Sequence, residues 1–148
     1  MAIDPMLAPV VALVAWTQVM LIWMAIQRGP AAKQAGIKFD TPGMRGQDLD
    51  RQLPPQANWA AHNYMHLMEQ PTIFYAIVFA LILMGASLPV NLWLAWGYVA
   101  LRIIHSIVQA TVNVIRIRAP IFFAGSLCLI ALTLHAAMWV IDTARVGS

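Results

Sequence analysis

Four apolar runs, each close to the length a helix needs to cross a bilayer, leave this chain few ways to fold. They cover residues 6–26, about 72–88, about 90–115 and 120–141, and roughly 20 helical residues span about 30 Å of hydrocarbon. A soluble fold would have to hide all four. Charged residues make up only 10% of the chain against 61% hydrophobic, which cannot cover a protein surface with a charged shell. The chain therefore reads as an all-α integral membrane four-helix bundle. It forms a single domain over residues 1–148, with helices at about 6–27, 58–86, 89–116 and 120–143 and a loop at about 28–57. The first run is not expected to be a cleaved signal peptide. Asp4 stands where a basic segment belongs, the apolar run is too long, and no small-residue cleavage site follows. The closing Gly147-Ser148 pair reads as an added tail as readily as native sequence.

The charges that remain are unevenly placed. The polar segment 28–56 carries Arg28, Lys33, Lys38, Arg45 and Arg51 among the turn-forming residues Gly29, Pro30, Pro42, Gly43, Pro54 and Pro55, and the third connection adds Arg116 and Arg118. Seven of the nine basic side chains thus fall on one face, which the positive-inside rule assigns to the cytoplasm, leaving both termini outside. Although the net charge is +3, its location beside apolar runs fits membrane topology and argues against a nucleic-acid partner. The lone Cys128 lies within an apolar run, has no internal disulfide partner, and reads as packing.

On the second helix, Asn58, His62, His66 and Glu69 are spaced four, four and three apart. At 100° per residue they share an arc of about 80°. Pro54 and Pro55 favour an extended start, Asn58 is the expected N-cap, and Pro71 is expected to kink the helix. Glu69, the acidic residue within the apolar helices, is costly there unless it is partnered or faces a cavity, so it reads either as a structural ion pair or as a ligand contact.

The third helix carries a more regular stripe. Arg102, His105, Gln109, Asn113 and Arg116 follow steps of three, four, four and three, with Leu101, Ile104, Val108, Val112 and Ile115 beside them. Such a stripe cannot face lipid and must line a bundle interior, a subunit interface or a wet cavity. Arg102 is the expected partner of Glu69, since an arginine at membrane depth needs an anion. A cationic pocket open to the cytoplasm would suit an anionic, partly apolar ligand.

Other features point less far. His62, His66 and Glu69, with His105 as a fourth group, have a spacing compatible with a metal, but this spacing has little specificity, and no metal site is assigned. His135 reads as a hydrogen-bonded core histidine. Trp16, Trp23, Trp59, Trp93, Trp96 and Trp139 fall mostly near helix ends, as in interfacial aromatic belts. Nothing resembles a nucleotide-binding glycine loop or a nucleophile elbow.

The run Asn63-Tyr64-Met65-His66-Leu67-Met68-Glu69-Gln70-Pro71-Thr72-Ile73-Phe74-Tyr75, followed by Arg102-Ile103-Ile104-His105-Ser106, Asn113 and Arg118-Ala119-Pro120, resembles the membrane-associated proteins in eicosanoid and glutathione metabolism, the MAPEG family, and in particular a bacterial branch of it. The resemblance covers nearly the whole chain. It implies a homotrimer in a bacterial inner membrane, with glutathione as cosubstrate bound between subunits on the cytoplasmic side and a small lipophilic molecule supplied by the bilayer. It further implies a transferase or peroxidase, with Arg102 matching the family's third-helix arginine as the catalytic cation; the polar stripes and the third connection, read from their spacing, supply His62, His66, Glu69, His105, Gln109, Asn113, Arg116 and Arg118 as the ligand-binding positions, Arg116 and Arg118 being further cations that could favour a thiolate. In that comparison His66 takes the place of an asparagine and Glu69 matches a glutamate. The family commonly has an arginine early in the fourth helix to stabilise the thiolate, where this chain has Ile121, Phe122, Phe123 and Ala124. A non-catalytic scaffold with the same fold is the alternative, and a His/Glu metal enzyme a third.

Overall fold

The structure, a computed structural model, describes residues 3–40 and 42–146; the Gly147-Ser148 pair lies outside them. Helix α1 spans Leu7–Gln34, a 3-10 turn Gly46–Arg51, α2 Pro55–Leu83, α3 Pro89–Thr111 and α4 Ile115–Val146. No strand occurs among the described residues. Packing is closest between α1 and α2 and between α3 and α4, and the α2–α3 seam joins the two pairs. Leu13, Met20, Phe74, Val78, Leu81, Tyr98 and Leu132 are fully buried, and Phe74 stacks on Tyr98 with ring centroids 4.6 Å apart. Outside this core the bundle presents apolar side chains such as Leu83, Trp93, Phe123, Leu127 and Leu134. A surface of that kind suits hydrocarbon and not water.

Helices α1, α2 and α4 are each long and apolar enough to cross a membrane, so the chain is a multi-pass membrane protein. At 23 residues, or about 34 Å, α3 is long enough but less apolar. The residues responsible, Asn91, Arg102, His105, Ser106 and Gln109, are all buried. Its polar stripe therefore turns into the bundle.

The helix boundaries differ from the sequence expectation in ways that matter for the site. Helix α1 continues through Gly29 and Pro30 to Gln34, so residues 28–34 are not loop. Tertiary contacts offset the bond that Pro30 removes, because Ala32 packs against Leu49 and Leu53 and Arg28 is anchored from three directions. Asn58 does not cap α2. The helix already begins at Pro55, and Asn58 is buried within it. Helix α2 continues through Pro71 to Leu83. Helix α3 stops at Thr111, and α4 starts at Ile115, with Pro120 inside it. Arg116 therefore belongs to the first turn of α4, and the α3 stripe ends at Gln109.

Local chemistry explains these ends. Gly85 adopts a φ of 68°, and beyond it the Ala86 N–H donates to the Leu81 carbonyl at 2.9 Å, the cross-turn bond that closes a helix C-terminus. Asn113 performs the same task after α3. Its φ is 54°, its N–H donates to the Val108 carbonyl at 2.8 Å, and asparagine tolerates this left-handed geometry better than most side chains.

Candidate functional site at the basic end of the bundle

The C-terminal ends of α1 and α3, the N-terminal ends of α2 and α4 and the 3-10 turn gather at one end of the bundle. There Gln47, His62, Met65, His66, Glu69, Gln109, Asn113 and Arg118 line a cavity of about 420 Å³, a size typical of small-ligand sites. Six expected ligand positions thus meet: His62, His66 and Glu69 from α2, Gln109 from α3, Asn113 from the α3–α4 connection and Arg118 from α4. Arg102 and His105 are buried away from its lining. Arg116 is exposed and does not reach it.

The cavity wall is polar and partly paired. His62 Nε2 lies 3.2 Å from Asp50 Oδ2, and His66 Nδ1 lies 3.1 Å from Glu69 Oε2. His105 meets His66 edge to face, with ring centroids 6.3 Å apart, and has Phe122 on another side at 5.9 Å. Gln109 Oε1 and Asn113 Oδ1 are buried and have no hydrogen-bond partner among the described residues. Buried carbonyl oxygens are normally satisfied, so these two residues bring unmet acceptor capacity to the cavity wall.

Arg102 occupies a different layer. Only 3% exposed, it donates from Nε to the Tyr98 hydroxyl at 3.2 Å and from Nη2 to Gln70 Oε1. Gln70 in turn donates to Ser126 Oγ at 2.9 Å, which ties α2, α3 and α4 together. The guanidinium lies over the Phe122 and Tyr98 rings, 4.9 and 5.6 Å from their centroids, and such faces attract a desolvated cation. The expected Glu69–Arg102 pair does not form. At this level the inward face of α2 is set by Asn63, Leu67 and Phe74, which brings Gln70 inward and leaves the Glu69 side chain 67% exposed. Glu69 is thus a rim carboxylate and not a buried one.

Sequence periodicity gives no role to Arg28 and Asp50, which hold the 3-10 turn beside the cavity. Arg28 donates from Nε to Asn58 Oδ1 at 3.1 Å and from Nη1 to the Gly46 carbonyl at 3.0 Å, and it pairs with Asp50. Asn58 Nδ2 donates to the Asp50 carbonyl at 3.2 Å. This clasp presses the 3-10 turn onto α1 and α2, which positions Gln47 at the cavity and Asp50 against His62. A second, more apolar cavity of about 560 Å³ lies alongside, with Met24, Leu49, Ala61 and Tyr64 in its wall. Gln47 and Met65 line both cavities.

Among the described residues no three His, Cys, Asp or Glu side chains converge as a metal-ligand set; His62 and His66 turn to different carboxylates. At the opposite end of the bundle His135 Nδ1 lies 2.6 Å from Asn91 Oδ1, a hydrogen-bonded core histidine as expected. The protein-family model described as the MAPEG family matches residues 6–138. Comparisons with curated proteins and with solved structures each gave no match.

Proposed function

The chain belongs to the MAPEG family, and we propose from that premise that it binds glutathione or a related anionic thiol in the polar cavity and transfers it to lipophilic electrophiles. The observation that carries this reading is the set of complementary groups in one cavity. Arg118 offers a guanidinium for a carboxylate, the unpartnered oxygens of Gln109 and Asn113 offer acceptors for N–H groups, and rim Glu69 offers an anion for an ammonium. A small zwitterionic peptide has all three. The adjoining apolar cavity and the lipid-facing surface support a lipophilic second substrate. Arg102 then acts from the layer behind, as a fixed positive charge that holds α2 to α3.

In this reading four helices cross a bacterial inner membrane and three protomers assemble. The end bearing Arg28, Lys33, Lys38, Arg45, Arg51, Arg116 and Arg118 faces the cytoplasm, with both termini outside. The test is conjugation of glutathione to an activated aryl chloride by the purified protein, saturable in both substrates. A second reading, a non-catalytic binding scaffold, is favoured by one observation: Ile121, Phe122, Phe123 and Ala124 occupy the early part of α4, where the family's thiolate-stabilising arginine is commonly found. Saturable glutathione binding without turnover would select it.

A further inference from the structure

A bound thiol in the cavity would still need to lose its proton. An ordinary thiol, with a pKa near 8.5, is mostly protonated at neutral pH, and the thiolate is the nucleophile. The cavity holds one arrangement suited to removing that proton. His66 lines the cavity, and its Nδ1 lies 3.1 Å from the carboxylate of Glu69, three residues on in the same helix. A carboxylate at that distance favours the tautomer with the proton on Nδ1, which leaves the lone pair on Nε2. Nucleophile activation by an imidazole that is itself oriented by a third group is a recurring solution for weak nucleophiles.

Resting on the glutathione reading above, we propose that His66 is the general base that ionises the bound thiol and that Glu69 is its positioning residue. The step balances simply. The S–H bond breaks, its electron pair stays on sulfur, and the proton moves to His66 Nε2. The thiolate then attacks the carbon of an activated aryl chloride; the C–S bond forms, the C–Cl bond breaks, and chloride leaves with the bonding pair. The imidazolium proton passes to water, and the base is restored.

The other charged and titratable groups around His66 have different roles. On its own helix, His62 is held by Asp50 of the 3-10 turn. From α3, His105 presents a ring against the His66 ring, is 4% exposed and does not line the cavity. From α4, Arg118 supplies a fixed cation that favours the thiolate but cannot accept its proton. Of the cavity histidines, His66 alone combines a carboxylate on its own turn with a packed imidazole behind it.

The experiment compares wild type with His66→Gln and Glu69→Gln in detergent, using glutathione and a chlorodinitroarene. Three quantities are read: glutathione affinity, the ultraviolet thiolate band of the bound ligand across pH, and the split of kcat against KM. The proposal expects His66→Gln to bind glutathione within about tenfold of wild type, lose the neutral-pH thiolate band and lose roughly 100-fold in kcat, the usual scale for a general base. Glu69→Gln should fall between the two, with its thiolate band displaced to higher pH; it also serves if His66→Gln does not fold. A thiolate band and kcat unchanged in both variants would overturn the dyad's role while leaving the binding reading intact. Absence of saturable glutathione binding by wild type would overturn both.

Discussion

The guanidinium of Arg102 donates to the amide oxygen of Gln70, one residue beyond the carboxylate of Glu69. A buried cation is thereby held by a neutral side chain, two aromatic rings and a tyrosine hydroxyl, with Nη1 unpartnered among the described residues. Gln70→Leu should leave it without its amide acceptor and cost about 1.5–3 kcal/mol, the scale for a hydrogen bond to a charged group. Gln70→Glu adds an anion where one is lacking and should raise the thermal midpoint. Thermal unfolding in detergent, monitored by circular dichroism, distinguishes the two variants by sign.

Arg118 and Arg116 lie two residues apart, yet one lines the cavity and the other is exposed outside it. Removing a charge-assisted bond to a carboxylate costs about 1.5–3 kcal/mol. Arg118→Gln is therefore expected to weaken glutathione binding roughly 10- to 100-fold, while Arg116→Gln leaves it unchanged. Equilibrium dialysis with labelled glutathione reads both.

Asn113 combines a left-handed backbone with an available acceptor, and two substitutions separate these roles. Asn113→Gly keeps the turn and should fold with wild-type stability but bind glutathione more weakly. Asn113→Val forces a β-branched side chain into left-handed geometry and should lose about 1–3 kcal/mol of stability. Paired unfolding and binding curves for the two proteins check the division.

Arg28 closes the 3-10 turn through Asn58, Gly46 and Asp50. Arg28→Ala should free residues 46–51 and cost about 1–3 kcal/mol through the partners it leaves unpaired. Limited proteolysis is expected to cut this segment much faster in the variant, and His62 should lose its contact with Asp50.

Most of the helices and six of the eight side chains lining the candidate cavity are legible in the sequence, for identifiable reasons. Apolar runs near bilayer length announce helices, and the spacing of His62, His66 and Glu69 places them on one face whatever surrounds them. Gln109 and Asn113 both reach the cavity although α3 ends about one turn before the stripe does, because the chain reverses at Asn113 and does not carry the stripe onward. Partner choice was not legible. Glu69 and Gln70 are adjacent in sequence, and which one meets Arg102 depends on how α2 is rotated by the packing of Leu67 and Phe74, a tertiary quantity. The Arg28 clasp was hidden for a similar reason. Asp50 and Gly46 sit in a segment without periodicity, and only its folding back onto α1 gives them a role. Gly29-Pro30 reads locally as the end of a helix, and the contacts of Ala32 and Arg28 override that signal.

The central claim is that the polar cavity receives an anionic, N–H-bearing thiol through Arg118, Gln109 and Asn113. It is tested most directly by calorimetric titration of glutathione into the detergent-solubilised protein, with Gln109→Leu alongside. Leucine removes an unpartnered acceptor and keeps the volume, so the fold should be preserved. Saturable binding by wild type, weakened roughly 3- to 10-fold in the variant as expected for one neutral hydrogen bond, is the predicted result. No saturable heat in the folded wild-type protein, or identical affinity in the two proteins, would contradict it.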